Sequence, residues 1–219
     1  MFNHGFHGLH GRETEADHTE GVILKLLQAM HTHDSAAGAR PLRRAVFLDR
    51  DGVINRPVVR DGMPFPPATP EEFALLDGVP EACRMLHAAG YLLVVATNQP
   101  DVGRGTTPLA TVEAMHRRMC ELLPEIDRVE ACYHPGGGDP PSPDRKPAPG
   151  MLLRAAKELG IDLPASYMVG DRWRDVDCGH AAGCRTFFID YGYAEKLRQQ
   201  PDFVATSLLD AAQKILSRT

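Results

Sequence analysis

The sequence predicts an α/β fold of three layers, in which helices cover both faces of a mostly parallel central sheet. Short apolar runs alternate along the chain with segments whose apolar residues recur at helical spacing. The runs are apolar nearly throughout, which is typical of strands buried on both faces of a parallel sheet. Polar residues follow several of these runs, and such sheets bind ligands beyond the carboxyl ends of their strands. We therefore expect the functional site at that edge.

The predicted elements alternate from residue 41 onward. The strands are AVFLD (45–49), YLLVVATN (91–98), RVEACYH (128–134), SYMVGD (166–171) and CRTFFID (184–190). The helices are VPEACRMLHAAG (79–90), PLATVEAMHRRMCELL (108–123), PGMLLRAAKELG (149–160), RDVDCGHAAG (174–183) and TSLLDAAQKILS (206–217). Early prolines and final glycines such as Gly160 are the usual punctuation of helices, and Thr206 or Ser207 caps the last one.

Residues 1–40 differ in composition from the domain predicted for residues 41–219. They contain six of the ten histidines, namely His4, His7, His10, His18, His31 and His33. The stretch EGVILKLLQAM (20–30) predicts one short amphipathic helix, and HDSAAGARP has the composition of a linker. A His-rich tract can bind metal, but the composition favours a partly disordered extension, and we assign it no function.

Composition narrows the classes of partner. The 219 residues, 43% of them hydrophobic, suit one medium domain with a sizeable core. A net charge of -5 argues against nucleic acid, whereas a small anionic substrate needs only a local positive site. No apolar run approaches the ~20 residues that span a bilayer, so we expect no membrane partner. Five cysteines, an odd number, and the lack of a secretory signal favour a reducing cytoplasm, and we expect a monomer.

Polar residues after four predicted strands could face one ligand. They are Asp49 and Asp51; Thr97, Asn98 and Gln99; Arg145 and Lys146; and Asp171 and Asp175. Acids from two strands can hold Mg²⁺, while a Thr hydroxyl and a Lys neutralise phosphate oxygens. That leaves Asp49 free as a carboxylate nucleophile and Asp51 as a general acid and base. Each pattern alone also fits a turn or a helix cap, so the prediction depends on their conjunction and order.

These residues resemble the haloacid dehalogenase (HAD) superfamily, whose members are mostly phosphatases. The resemblance covers about residues 41–217 and includes all four motifs of the superfamily: FLDRDGVIN (47–55), ATNQP (96–100), RKPAPGML (145–152) and YMVGDRWRD (167–175). It implies a Rossmann-like fold, and no stretch between the first three motifs is long enough for a cap domain. The finer resemblance is to a capless branch containing heptose bisphosphate and histidinol phosphatases.

The resemblance implies a role for each residue of the site. Asp49 would be the nucleophile and Asp51 the acid and base, with Thr97 and Lys146 steadying the transferred phosphoryl group. Mg²⁺ would be bound by Asp49, the backbone carbonyl of Asp51, and Asp171, while Asp175 would orient Lys146 or support the metal. The substrate would be a small sugar phosphate, bound by the side chains of Asn98, Gln99, Arg145 and Arg172.

Other functions remain open. Histidinol phosphate or a broad range of small phosphate esters would fit an uncapped site. A phospho-accepting receiver module also uses Asp, Thr, Lys and Mg²⁺ on a parallel sheet, but it lacks the second acid of the first motif and the Gly-Asp after the Lys. A catalytically inactive binding module is disfavoured because no motif residue is missing.

The chain departs from the branch in the segment before Arg145. Members usually carry Cys-x-His and then Cys-x-Cys, which together form a tetrahedral structural Zn²⁺ site. Here Cys132 and His134 keep the first pair, while Ser142 and Asp144 occupy the other positions. The zinc could be lost, with the prolines of DPPSPD stiffening the loop, or bound weakly by Cys132, His134 and Asp144, or bound with help from a distant Cys or an N-terminal His. Zn²⁺ is therefore doubtful, whereas Mg²⁺ is expected.

Overall fold

The structure is a computed structural model that describes residue 1, residues 41–60, 63–138, 140–192 and 196–218, and residue 194. The chain divides into two compact units, Met1–Arg40 and Pro41–Thr219. The helix predicted for residues 20–30 and the six histidines of the extension lie outside the described residues. All that follows concerns the second unit.

A six-stranded parallel sheet forms the centre of this unit. In chain order the strands are β1 (Ala45–Leu48), β2 (Val58–Arg60), β3 (Met63–Phe65), β4 (Leu92–Asn98), β5 (Ile126–Cys132), β6 (Tyr167–Gly170), β7 (Arg185–Ile189) and β8 (Phe203–Ala205). The central sheet has the order β5-β4-β1-β6-β7-β8, and β2 and β3 form a separate antiparallel hairpin. The expected α/β fold with a parallel sheet is therefore confirmed.

Helices pack against both faces of the sheet. They are α1 (Val79–Ala88), α2 (Pro100–Gly103), α3 (Leu109–Leu122), α4 (Gly150–Leu159), α5 (Trp173–Ala182) and α6 (Leu208–Leu216). Successive side chains of the wholly buried β1 point to opposite faces, as the pleat requires. Val46 and Leu48 join a core with α1, α3 and α6, whereas Ala45 and Phe47 join a second core with α4 and α5. These two cores make the three layers.

The strand order reverses beside β1. The chain runs from β1 outward to β4 and β5, and then returns to the other side of β1 to form β6. Leu48 at the end of β1 is in register with Val95 of β4 and Val169 of β6. The loops after β1 and β6 consequently diverge from the same point, where α/β sheets open a crevice for ligands.

Four short elements were not predicted, namely the strands β2 and β3 of the hairpin, α2 and β8. Each spans only three or four residues, which is too short to show a hydrophobic period. Between β1 and β4 the described residues contain the hairpin and α1 but no cap domain, in agreement with the expectation. Within the described part of the chain, no helix combines the length and apolar character that a bilayer crossing requires.

Candidate active site

Asp49 lies at the reversal point, directly after β1. Its backbone N–H donates to the carbonyl of Val169 on β6 (3.0 Å), which fixes the residue between the two strands. Its carboxylate is nearly buried, and Oδ1 lies 2.8 Å from the Nζ of Lys146. Burial raises the pKa of Asp49 to about 6, and the charge of Lys146 opposes that rise.

Lys146 holds its ammonium group in the interior with a full set of acceptors. Nζ lies 2.8 Å from Asp49 Oδ1 and 2.6 Å from Asp175 Oδ1, and it donates to the carbonyl of Ala96 on β4 (2.7 Å). Burial disfavours the charged form, but Asp175 and Asp49 outweigh it and raise the pKa of Lys146. Since the other oxygen of Asp175 accepts the N–H of Arg172 (3.0 Å), Asp175 is well placed to orient Lys146.

Three carboxylates meet at this point. Oxygen atoms of Asp49, Asp171 and Asp175 all lie within 4.8 Å of one another. Burial, followed by the charges of Asp49 and Asp175, raises the pKa of Asp171 to about 8. The buried Oδ1 of Asp171 has no hydrogen-bond partner among the described residues. A concentration of carboxylate oxygens with one left unpaired fits a hard divalent cation such as Mg²⁺.

Gly52 brings the first and fourth motifs together. Its φ of 90° lies in the left-handed region, where a residue with a Cβ atom is strained. A Cβ atom at this position would also collide with the carboxylate of Asp171. The "DG" of the first motif is therefore required for two reasons, conformation and space.

Asp51 accepts three sets of hydrogen bonds. Arg50 Nη2 donates to both of its oxygens (3.1 and 3.0 Å), Asn55 Nδ2 donates to Oδ1 (3.0 Å) and Gln99 Nε2 donates to Oδ2 (2.8 Å). Burial would raise the pKa of this carboxyl, but Arg50 and the hydrogen bonds outweigh it and hold the pKa below its usual range. The Asp51 side chain remains 27% exposed, so it can still reach a ligand.

The residues after β4 support this arrangement from the other side. The buried Thr97 accepts a hydrogen bond at Oγ1 from Gln99 Nε2 (2.9 Å). Asn98 clamps the backbone of Lys146, since its Nδ2 donates to the carbonyl (3.0 Å) and its Oδ1 accepts the N–H (3.1 Å). The amides of Asn98 and Gln99, predicted to bind substrate, thus hold Lys146 and Asp51 in place.

A cavity of about 270 Å³ opens beside these groups. Its lining residues are Asp49, Asp51, Pro66, Asn98, Pro100, Arg145, Lys146, Arg172 and Arg174. The predicted Arg145 and Arg172 therefore line the same cavity as the two acids. Arg145 is steadied by a hydrogen bond from Nη1 to the carbonyl of His134 (3.1 Å). The cavity combines carboxylates with an arginine-rich wall, which suits an anionic ligand.

The three residues of the suggested zinc loop are not brought together as a metal site. Asp144 is bound by Arg154 through both carboxylate oxygens (2.9 and 3.0 Å). His134 Nδ1 accepts the N–H of Gly136 (3.2 Å), and Cys132 Sγ lies 3.9 Å from Ser142 Oγ. Within the described ranges, the one cluster of three or more metal-binding side chains is that of Asp49, Asp171 and Asp175.

Sequence reasoning did not identify Arg50, His116 or Arg174. Arg50 is 0% exposed between the two acids of the first motif, and its Nη1 lies 3.2 Å from the Nε2 of His116 on α3. Burial and the charge of Arg50 lower the pKa of His116 to about 4. Its position in the apolar period of α3, between Met115 and Met119, was an available signal for a buried histidine. Arg174 was visible only as a second basic residue in GDRWRD.

Comparison with known proteins confirms the resemblance. The HAD-hydrolase-like family matches residues 144–211. A D-glycero-D-manno-heptose-1,7-bisphosphate 7-phosphatase of Chlorobaculum tepidum is 35% identical over 187 residues, or 77% of this chain and 92% of that protein. The D-glycero-beta-D-manno-heptose-1,7-bisphosphate 7-phosphatase of Yersinia pestis is 38% identical over 186 residues, or 80% of this chain and 96% of that protein.

Solved structures agree with the sequence relatives. A crystal structure of the D,D-heptose 1,7-bisphosphate phosphatase of B. bronchiseptica, complexed with magnesium and phosphate, has a TM-score of 0.68 to this chain. It is 29% identical and covers 80% of this chain and 99% of its own. The chain thus belongs to the HAD phosphatases, which are phosphomonoester hydrolases, and within them to the family of the heptose bisphosphate phosphatases.

Proposed function

We propose that this chain is a Mg²⁺-dependent phosphatase that removes the 7-phosphate from D-glycero-D-manno-heptose 1,7-bisphosphate. The observation that carries the proposal is that Asp49, Asp51 and Lys146 line one cavity together with three arginines. Relatives of this name match most of the chain, at 35% and 38% identity over 77% and 80% of it.

The reaction proceeds through an aspartyl phosphate. A carboxylate oxygen of Asp49 attacks phosphorus, and the bond from phosphorus to the sugar oxygen breaks. The departing sugar oxygen takes a proton from Asp51, which therefore has to carry that proton when the substrate is bound, although Arg50 favours its carboxylate form in the free site. Water then attacks the phosphoryl group and gives a proton to the Asp51 carboxylate, so that inorganic phosphate leaves and both acids return to their starting states. Lys146, fixed beside Asp49, supplies positive charge next to the group being transferred.

Asp49, Asp171 and the carbonyl of Asp51 would hold the Mg²⁺, and Asp175 would keep Lys146 in position. The buried Oδ1 of Asp171, which has no hydrogen-bond partner among the described residues, supports this assignment. When bound, the cation would neutralise the carboxylates and the phosphoryl oxygens, which lets two anions approach each other.

The arginines of the cavity support a substrate with a second phosphate. Arg145, Arg172 and Arg174 line the same space as the acids. Guanidinium groups bind phosphate in a bidentate manner, whereas a substrate such as histidinol phosphate offers a cationic amine to that wall. The charge of the wall therefore favours the sugar bisphosphate over the histidinol alternative.

The substrate is tested with purified enzyme and a panel of phosphate esters. We expect the highest kcat/KM for the heptose bisphosphate, a lower one for heptose 7-phosphate and the lowest for histidinol phosphate. Arg174→Ala should reduce the preference for the bisphosphate over the monophosphate, because it removes one charge from the wall. A highest kcat/KM for histidinol phosphate would show that the heptose assignment is wrong.

We also infer a cytoplasmic monomer. All five cysteines are free thiols, and four of them are buried. Such thiols suit a reducing compartment. Light scattering during size-exclusion chromatography tests the monomer, and a mass of twice 24.0 kDa would contradict it.

A further inference from the structure

Arg50 is a buried charge that the proposed reaction does not use. Its side chain is 0% exposed, although burying a guanidinium without partners is costly. Nη2 donates to both oxygens of Asp51 and also to Gln99 Oε1 (3.1 Å). Arg50 Nη2 therefore donates to Asp51, the proposed acid and base, and to the amide of Gln99, which also binds Asp51.

His116 connects this guanidinium to α3. The histidine is 9% exposed and lies on the face that α3 buries with Val112, Met115 and Met119. Its Nε2 lies 3.2 Å from Arg50 Nη1. Arginine has donors only, so the histidine nitrogen accepts this hydrogen bond. The position of the Arg50 side chain is thus set from two sides, by Asp51 and by a helix of the core.

This geometry restricts how Asp51 can move. A partly exposed Asp side chain normally samples several rotamers, and ordering it costs conformational entropy. Here one guanidinium nitrogen contacts both carboxylate oxygens, and Asn55 and Gln99 add one donor each. A proton donor acts efficiently only within hydrogen-bond reach of the leaving oxygen.

We propose that Arg50 and His116 are positioning residues that hold the carboxyl group of Asp51 against the leaving oxygen of the ester. The inference rests on the proposed phosphatase reaction and adds two residues to it. Arg50 and His116 neither gain nor lose a proton. Asp51 donates the proton, and Arg50 remains hydrogen-bonded to the carboxylate that results.

The basicity of the leaving group provides the test. A sugar alkoxide is a poor leaving group that needs a proton, whereas p-nitrophenolate departs without one. The value of kcat/KM reports the steps up to loss of the leaving group, so the later hydrolysis of the aspartyl phosphate, common to both esters, does not enter. Mispositioning of Asp51 should therefore lower kcat/KM for the sugar phosphate alone.

The experiment compares His116→Leu with His116→Gln. Leucine removes the acceptor for Arg50, and we expect kcat/KM for the heptose bisphosphate to fall roughly 10- to 100-fold while that for p-nitrophenyl phosphate changes less than about 3-fold. Glutamine retains an acceptor oxygen, so His116→Gln should keep most of the wild-type kcat/KM for the heptose bisphosphate. The exposed His87→Leu on α1 is the matched control and should change neither value.

Arg50→Lys is a second variant in case leucine at position 116 prevents folding. It keeps the charge but cannot contact Asp51 and His116 together, so it should give the same selective loss. Equal losses for the two esters, or no loss, would overturn the inference alone. Wild-type protein that hydrolyses neither ester would overturn the proposed function and the inference with it.

Discussion

At the scale of single residues, the site depends on charges kept away from water. Lys146 is almost wholly buried between two carboxylates, and one interior oxygen of Asp171 has no hydrogen-bond partner in the described part of the chain. Taking such groups out of water costs free energy, and the same side chains would not incur that cost at the surface. The cost is understandable if the groups are held ready for an anion and a cation, because preorganised charge needs no rearrangement during a reaction.

Asp49→Asn should abolish turnover. The amide is a poor nucleophile, so we expect kcat to fall at least ~10⁴-fold, with no phosphorylated protein in the mass spectrum. Asp77→Asn, which changes a 96% exposed acid, is the matched control and should keep wild-type activity. Full hydrolysis by the Asp49 variant would rule out the covalent mechanism.

Gly52→Ala should impair both stability and metal binding. The variant combines a strained φ, worth about 1–3 kcal/mol, with a collision against Asp171. Gly90→Ala is the matched control because Gly90 has a similar φ of 85° but no described atom within 4 Å of its Cβ position. Urea unfolding should show the larger loss in free energy of unfolding for Gly52→Ala, and only that variant should require more Mg²⁺ for activity. Equal unfolding losses would contradict the collision.

At the scale of elements, hydrophobic periodicity predicted the long strands and helices but not the side-chain hydrogen bonds that connect them. The polar ends of β1, β4 and β6 meet because those strands are neighbours in a parallel sheet, and this could be anticipated from the sequence. The hydrogen bond from the Asn98 amide to the backbone of Lys146 could not be anticipated, because it depends on the path of a loop 48 residues away. The same is true of His116, which reaches Arg50 only through the packing of α3.

Arg154 joins three elements and should stabilise the loop that carries Lys146. It donates from α4 to the buried Glu130 on β5 (2.9 and 2.8 Å) and to Asp144 in the loop. Arg154→Ala leaves these carboxylates with fewer partners, so we expect a loss of about 1–2 kcal/mol in urea unfolding. The exposed pair of Arg118 and Glu121 supplies the control: Arg118→Ala should cost less than about 0.5 kcal/mol. Similar losses for both variants would contradict this role of Arg154.

At the scale of the whole molecule, we expect the cluster of acids to couple stability to pH and to metal. Burial, together with neighbouring carboxylates, raises the pKa of Asp49 to about 6 and that of Asp171 to about 8, from a usual value of 3.8. Over that interval the folded protein binds more protons than the unfolded chain. The contribution of these groups to stability is therefore complete below pH 3.8 and is lost as the pH rises to about 8.

Magnesium should stabilise the protein more at pH 8 than at pH 6. Protons compete with the metal for Asp49 and Asp171, so binding strengthens as both acids ionise. Thermal unfolding midpoints in EDTA and in Mg²⁺ at the two pH values measure the effect. Asp171→Asn should remove most of the Mg²⁺ dependence and raise the midpoint in EDTA at pH 8. An equal shift by Mg²⁺ at both pH values would be the contrary result.

The central place of β1 also affects how the enzyme is made during synthesis. The strand that precedes Asp49 gains one neighbour, β4, early, but its other neighbour, β6, is added only after residue 166 has been translated. A nascent chain ending at β5 contains Asp49 and Thr97 but neither Lys146 nor Asp171. Pairing of such distant segments is slow relative to local helix formation. If the proposed roles of Lys146 and Asp171 hold, we expect activity only when most of the chain has emerged, and truncated products should not consume the substrate.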